Sequence, residues 1–175
     1  MAAFDRVLVP LEFDHGADAD EPHCRTIRTE RGGTFVLGQD SCRALVMAQR
    51  LAEGGEVWLV HAVPDVLSYP VFGGPDGFGV PLDDVRELND AACANAEDAL
   101  SKIGEDVFGV TVKLHVGLGA PLPVILDAIA KSKADAVVMA ASSRGRVRRV
   151  LLGSTADKVI RRAQCPVVVL PTEED

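Results

Sequence analysis

The groups best able to hold an anion are gathered in residues 136–170. An aliphatic run from Ala136 to Ala140 leads into Ser142, Ser143 and Arg144, then Arg146, Arg148 and Arg149, and then Gly153, Ser154 and Thr155 ahead of a helical pattern. A strand that ends in a small-residue loop and feeds a helix N-terminus collects unpaired backbone N–H groups and the positive end of a helix dipole, which is the architecture of a phosphate site. Guanidinium groups match phosphate oxygens bidentately, so the arginines suit the same chemistry. Each feature also has a plainer reading. Ser154 to Asp157 is a capping box that satisfies a helix N-terminus by itself, and an arginine-rich loop is an ordinary solvated turn. Ser143 either obstructs a phosphate or offers it a hydroxyl.

These groups must be positioned by the elements around them. Apolar, β-branched runs predict strands near 6–11, 56–63, 110–116, 134–141 and 166–170. Helical spacing predicts helices over 41–53, 82–103, 121–131 and 154–163. The first carries Ala44, Leu45, Ala48 and Leu51 on one face, with Asp40 or Ser41 as N-cap and Gly54-Gly55 as its stop; the second carries Val85, Leu88, Ala92, Ala96 and Leu100 and closes at Gly104. Alternating strands and helices imply an α/β fold, a single Rossmann-like domain with a parallel sheet and helices on both faces. Ligands of such sheets bind beyond the carboxyl ends of the strands, where the strand order reverses. That rule brings Leu11, Glu12, Val63 and Ala140 to one crevice with Ser142, Ser143, Arg144, Gly153, Ser154 and Thr155. Residues 13–39 are too long for an ordinary connection between a strand and a helix. Within them Thr26 to Leu37 alternates around Gly32-Gly33, which predicts a β-hairpin projecting at the crevice end and packed through Ile27, Phe35 or Leu37.

Composition narrows the function classes. The chain has 175 residues, one domain's worth, with a net charge of −8. Its summed field repels polyanions, so neither nucleic acid nor an anionic membrane is an expected partner, and any anion site must be local. No apolar stretch approaches the roughly 18 to 20 residues needed to cross a bilayer, and no basic, then apolar leader opens the sequence, so a cytoplasmic protein is expected. Cys24, Cys42, Cys93 and Cys165 form no CxxC pair and read as reduced thiols. His15, His23, Cys24 and His61 show no metal-ligand spacing, and no nucleophile elbow, full Walker loop or paired carboxylates are present; no catalytic or metal site is expected. The acidic run Asp14, Asp18, Asp20 and Glu21 reads as a solvated loop.

Several segments in order resemble the universal stress protein family: Val7 to Glu12 its opening strand, Val60 to Val63 its second, Gly119-Ala120-Pro121 with Ile125 its glycine-proline turn, and Gly153-Ser154-Thr155 through Cys165 to Leu170 its closing segment. The resemblance implies a five-stranded sheet of order 3-2-1-4-5, with residues 13–39 an insertion. It also implies a homodimer through the last strand, 166–170, and a stress-response regulatory or protective role. ATP-binding members carry Gly-x-x-Gly followed at fixed spacing by Gly-Ser or Gly-Thr. Here the two earlier glycines fall on Ala140 and Ser143, and the aspartate that contacts adenine falls on Glu12. The resemblance thus implies an adenine-nucleotide crevice that is either altered, holding ATP or another adenine nucleotide weakly, or lost, with no metal beyond the Mg that accompanies a nucleotide. The alternatives are a nucleotide-hydrolysing enzyme of the same α/β group, or an interaction module that docks a protein partner on the 13–39 segment.

Overall fold

The computed structural model describes residues 4–13, 25–68, 81–109, 112–141 and 153–171. Chain order is β1 (Arg6–Pro10), β2 (Arg25–Arg28), β3 (Thr34–Leu37), α1 (Gln39–Leu51), β4 (Glu56–Val63), a 3-10 turn (Val66–Ser68), α2 (Leu82–Phe108), β5 (Lys113–Leu118), α3 (Pro121–Ser132), β6 (Ala136–Ala140), α4 (Ser154–Arg162) and β7 (Val167–Leu170). Five strands form one sheet in the order β5-β4-β1-β6-β7, every neighbouring pair parallel, while β2 and β3 make a separate antiparallel pair. Counting the strands of the large sheet along the chain, this is 3-2-1-4-5.

A parallel sheet covered on both faces needs strands that are apolar on both sides. Val7, Leu8, Val9, Val137 and Val138 are all 0% exposed. Val7, Val9, Leu59 and Val138 pack beneath α1 and α2, whereas Leu8, Val60, Val137 and Met139 pack beneath α3 and α4. The amino end of the sheet is tied by Asp135, whose two carboxylate oxygens accept the N–H groups of Asp5 (2.8 Å) and Arg6 (3.0 Å). Among the described residues, no helix is long and apolar enough to cross a membrane.

Several element ends differ from those expected. α1 begins at Gln39, with Gly38 as N-cap and no side-chain cap, because β3 ends at Leu37 and leaves one extended residue before the first helical bond, Cys42 N–H to the Gly38 carbonyl. Asp40 and Ser41 therefore lie inside the helix. α2 runs through Gly104 and stops at Gly109, which adopts φ 66 and donates to the Glu105 carbonyl. Gly104 is bare for a different reason: a Cβ there would press on the Val112 side chain. The buried face of α2 is Val85, Asn89, Ala96, Ala99, Leu100 and Ile103, and Leu88 is 49% exposed. β5 begins at Lys113 rather than at 110 and continues to Leu118; residues 110 and 111 lie outside the described ones.

In the β2–β3 hairpin, Ile27 faces Phe35 and Thr26 faces Val36. Its turn spans Thr29 to Gly33, closed by the Thr29 N–H to the Gly33 carbonyl (2.9 Å). The hairpin lies against α2. Thr29 Oγ1 accepts the Gly33 N–H (2.8 Å) and donates to Asn95 Oδ1 (2.9 Å), the Glu30 N–H donates to Asp98 (2.7 Å), Lys102 donates to the Arg28 carbonyl (2.9 Å), and Arg25 pairs with Asp106 (3.7 Å). Ile27 and Leu37 join the core beneath α1 and α2.

Candidate functional site

With this strand order, connections to one side of β1 pass over the α1/α2 face and those to the other side over the α3/α4 face. The switch point therefore lies between β1 and β6, and a ligand crevice is expected beyond their carboxyl ends. Leu11, Glu12 and Phe13 leave β1 there. Leu11 is buried; its N–H bonds the Val60 carbonyl at 2.8 Å, and its own carbonyl lies 2.9 Å from His61 Nδ1. That contact requires the Nδ1–H form of the imidazole. Glu12 is exposed, and its carbonyl is 3.5 Å from Ser41 Oγ at the start of α1. Val63 is buried at the end of β4, and its carbonyl accepts the Gly119 N–H at 2.8 Å. Ala140 is the last residue of β6 and is partly exposed. The next residue, Ala141, donates to the Leu170 carbonyl at 2.8 Å. The backbone groups lining this edge are thus largely engaged with one another.

α4 is the element that follows β6 in the chain. Gly153 is its N-cap, in an extended conformation and without a side-chain cap, and the Gly153 carbonyl accepts the Asp157 N–H at 3.0 Å. Ser154 is the first helical residue, so the expected capping box does not form. The Asp157 carboxylate turns instead to Arg161 Nε, at 3.0 and 3.1 Å, because a guanidinium one turn away is a stronger partner than a neutral N–H. This pairing holds the Asp157 carboxyl below the usual carboxylate range. The N–H groups in the first turn of α4, those of Ser154, Thr155 and Ala156, have no intrahelical acceptor, the state in which a helix N-terminus receives an anion. Ser142, Ser143 and Arg144, with Arg146, Arg148 and Arg149, lie outside the described residues.

Sequence reasoning missed an aromatic group at the same edge. Phe13 is 1% exposed, its ring centroid 4.7 Å from that of Phe35 and 4.6 Å from that of His61, and its backbone bridges Leu37 of β3. The one available signal was an aromatic residue three positions beyond the first strand, followed by a hairpin pattern carrying a second.

Other titratable groups make contacts of their own. His115 on β5 contacts Asp127 of α3 at 3.2 Å, and Asp127 pairs with Lys131 at 2.8 Å. Burial pulls the His115 imidazole below its usual range, partly offset by Asp127. Burial pushes the Cys42, Cys93 and Cys165 thiols up, which is the reverse of an activated nucleophile. Among the described residues, no three His, Cys, Asp or Glu side chains are arranged to hold a metal ion. His15, His23, Cys24 and the acidic run of residues 14–21 fall outside them. Two open depressions, of about 400 Å³ at Gln49, Gly55 and Phe108 and about 410 Å³ at Glu30, Glu97 and Ser101, lie away from the carboxyl edge.

An α/β domain with this strand order and alternating helices defines a class of small parallel-sheet domains. Within that class the chain belongs to the Universal stress protein family, whose sequence profile matches residues 37–171. A universal stress protein of Methanocaldococcus jannaschii is 34% identical over 95 residues, which are 53% of this chain and 56% of that protein. One from Mycobacterium tuberculosis is 32% identical over 118 residues, 66% of this chain and 38% of that protein. The matched stretch thus spans roughly half or less of these two relatives. One from Thermus aquaticus is 32% identical over 133 residues, 73% of this chain and 85% of that protein. Among solved structures, the universal stress protein UspA of Lactobacillus plantarum superposes with a TM-score of 0.61 at 21% identity, covering 97% of this chain and 99% of that one. A family protein of Arabidopsis thaliana, solved with AMP bound, superposes at 0.56 with 17% identity over 97% of this chain and 93% of that one. Another universal stress protein was solved in complex with cAMP, at a TM-score of 0.54 and 19% identity over 98% of this chain and 100% of that one. At these identities the structural likeness speaks to the fold.

Proposed function

We propose that this chain is a regulatory, non-catalytic universal stress protein of the cytoplasm that binds an adenine nucleotide weakly at the carboxyl edge of β1 and β6. The observation that supports this reading is the N-terminus of α4 at Gly153, which has no side-chain cap and follows β6, one of the two strands that flank the topological switch point. Relatives of the same fold hold AMP and cAMP, which favours adenine as the base. Low affinity follows from Ala140 and Ser143 in place of the glycines of ATP-binding members, from Glu12 in place of the aspartate, and from backbone groups already bonded to one another at this edge. Arg144 and its neighbours supply attraction for phosphate that does not depend on a glycine cradle.

The acting unit we propose is a homodimer through β7, a short, uncharged, aliphatic strand at the sheet edge. Self-pairing across a two-fold axis would satisfy its outer backbone groups.

Two measurements test this reading. Chromatography of the supernatant after heat denaturation of the purified protein should find adenine nucleotide well below one per chain; a stoichiometric non-adenine nucleotide would overturn the assignment. Steady-state phosphate release from ATP should stay at background, and turnover proportional to protein concentration would favour the hydrolase alternative instead.

A further inference from the structure

The sheet has a second open edge. Among the described residues, no strand pairs with the outer side of β5. The Gly119 N–H donates to the Val63 carbonyl across the β4–β5 pair, in the register that sets Leu118 beside Val63. By the alternation of a parallel ladder, the backbone groups of Lys113, His115 and Gly117 turn to β4, and those of Leu114, Val116 and Leu118 turn outward. Leu114 and Val116 lay their side chains on the α2 face, whereas His115 meets Asp127 of α3 and a Cβ at Gly117 would meet Val124 there. On the α2 side lies the depression of about 410 Å³, lined by Leu114 of β5, by Glu97, Asp98 and Ser101 of α2, and by Glu30 and Arg31 of the hairpin turn. Its charge is unbalanced, three carboxylates against one guanidinium. Lys102 of α2 and Arg25 of β2 are engaged elsewhere, on the Arg28 carbonyl and on Asp106.

We infer that β5 and this depression form a docking surface for an extended, basic segment of a partner protein, which adds to the five-stranded sheet as a further strand. The inference is independent of the nucleotide reading. An open strand edge supplies ladder bonds, which give affinity, and pockets beside it read alternate side chains. In a strand lying abreast of Leu114 and Val116, every second side chain falls on the α2 face. There Glu30, Glu97 and Asp98 favour lysine or arginine and reject carboxylates. The intervening side chains fall on the α3 face, where His115, Asp127 and Lys131 already contact one another, so uncharged residues suit them. β7 at the opposite edge is aliphatic and uncharged and offers no such selection. The hairpin has a part in this surface: its turn is fastened to α2 by Thr29 on Asn95 and by the Glu30 N–H on Asp98, which brings Glu30 to the groove.

The test is fluorescence anisotropy of a labelled heptapeptide of alternating lysine and threonine at about 50 mM salt, titrated with wild type, Glu97→Lys and Val116→Pro, each checked for folding by circular dichroism. Val116→Pro removes an outward N–H, at an edge position where proline is tolerated. Wild type should bind saturably, Glu97→Lys and Val116→Pro should each bind about tenfold more weakly or worse, and a peptide of alternating glutamate and threonine should not bind. Two further peptides, N-methylated on the lysine amides or on the threonine amides, report the backbone contact. An added strand turns only one of these sets toward β5, so one peptide should lose binding and the other keep it. Equal binding of both overturns strand addition, and this pair decides should Val116→Pro fail to fold. Equal binding by wild type and Glu97→Lys overturns the acidic groove as the reader of the peptide. No binding by wild type up to about 1 mM overturns the proposal. A wild-type dimer that Val116→Pro dissociates also overturns it, since the edge would then belong to a second copy of this chain.

Discussion

Replacing Gly104 with alanine separates two accounts of helix α2. If the helix ended there on a left-handed glycine, a Cβ would cost about 1 kcal/mol whatever surrounded it. Instead Gly104 is an interior helical residue, where alanine is favoured over glycine by about 1 kcal/mol, and the obstacle is one neighbour. A Cβ at 104 would stand 3.3 Å from both Cβ and Cγ1 of Val112 and closer still to Cγ2. Since Val112 Cβ is itself among the crowded atoms, turning the valine side chain does not clear the space, and overpacking of this kind costs about 1 to 3 kcal/mol. The net loss is about 1 kcal/mol, equivalent to a melting temperature lower by roughly 2 to 4 °C in a chain of this size. Val112→Ala removes both methyl groups from a side chain that is 8% exposed, the nearest atom among them, and leaves only the 3.3 Å contact with Cβ. In that background Gly104→Ala should stabilise by up to about 1 kcal/mol, a coupling of about 1 to 3 kcal/mol between the two sites. Urea unfolding monitored by circular dichroism, with unchanged slopes, gives all four stabilities. Equal destabilisation by Gly104→Ala in both backgrounds would refute the reasoning.

Other consequences are open to direct measurement. Gly109→Ala, at φ 66, should cost about 1 kcal/mol in urea unfolding, and the loss should persist in the Val112→Ala background. Asp135→Ala, which strips a charged acceptor from the N–H groups of Asp5 and Arg6, should cost about 1 to 2 kcal/mol by the same assay. Because the folded His115 imidazole titrates below its ordinary range, its contribution to stability is full above that range and falls as pH drops through it toward the folded value; thermal melts between about pH 7 and 5 should fall less steeply in His115→Gln than in wild type. In β7 the carbonyls of Pro166 and Leu170 accept from β6, so the alternation directs Val168 inward and Val167 and Val169 toward the open edge. Val169→Pro should therefore shift sedimentation toward the monomer, and an unchanged dimer, or a wild-type monomer at micromolar concentration, would refute pairing through this edge.

The parallel sheet was legible because strands covered on both faces read as uninterrupted aliphatic runs, and Val7-Leu8-Val9 and Ala136 to Met139 are of that kind. The helix ends were less so. Gly104 and Gly109 look alike in a sequence, yet one is bare to admit Val112 and the other to turn the chain. Ser154 carries a cap signature, but the residue that caps is the one before it, since the pattern does not specify where the first helical residue falls. Leu11, Glu12, Val63 and Ala140 could be placed at one edge because each ends or follows a strand of known neighbours. Phe13, Phe35 and His61 could not, because they come together only through the pairing of β1 with β4 and the bridge from Phe13 to Leu37. That proximity is a product of register, which no local pattern records.

The central claim is a weak adenine-nucleotide site at the switch point of the sheet, and calorimetric titration of ATP at two salt concentrations tests it most directly. Charge–charge contacts in solvent are screened beyond roughly 8 Å at physiological ionic strength, so affinity should fall several-fold between about 50 and 300 mM salt, and Arg144→Ala should weaken it at the lower one. Saturable binding with a Kd of about 0.1 to 1 mM and that salt dependence is the predicted result. No heat of binding up to about 10 mM ATP, or tight binding indifferent to salt, would contradict it.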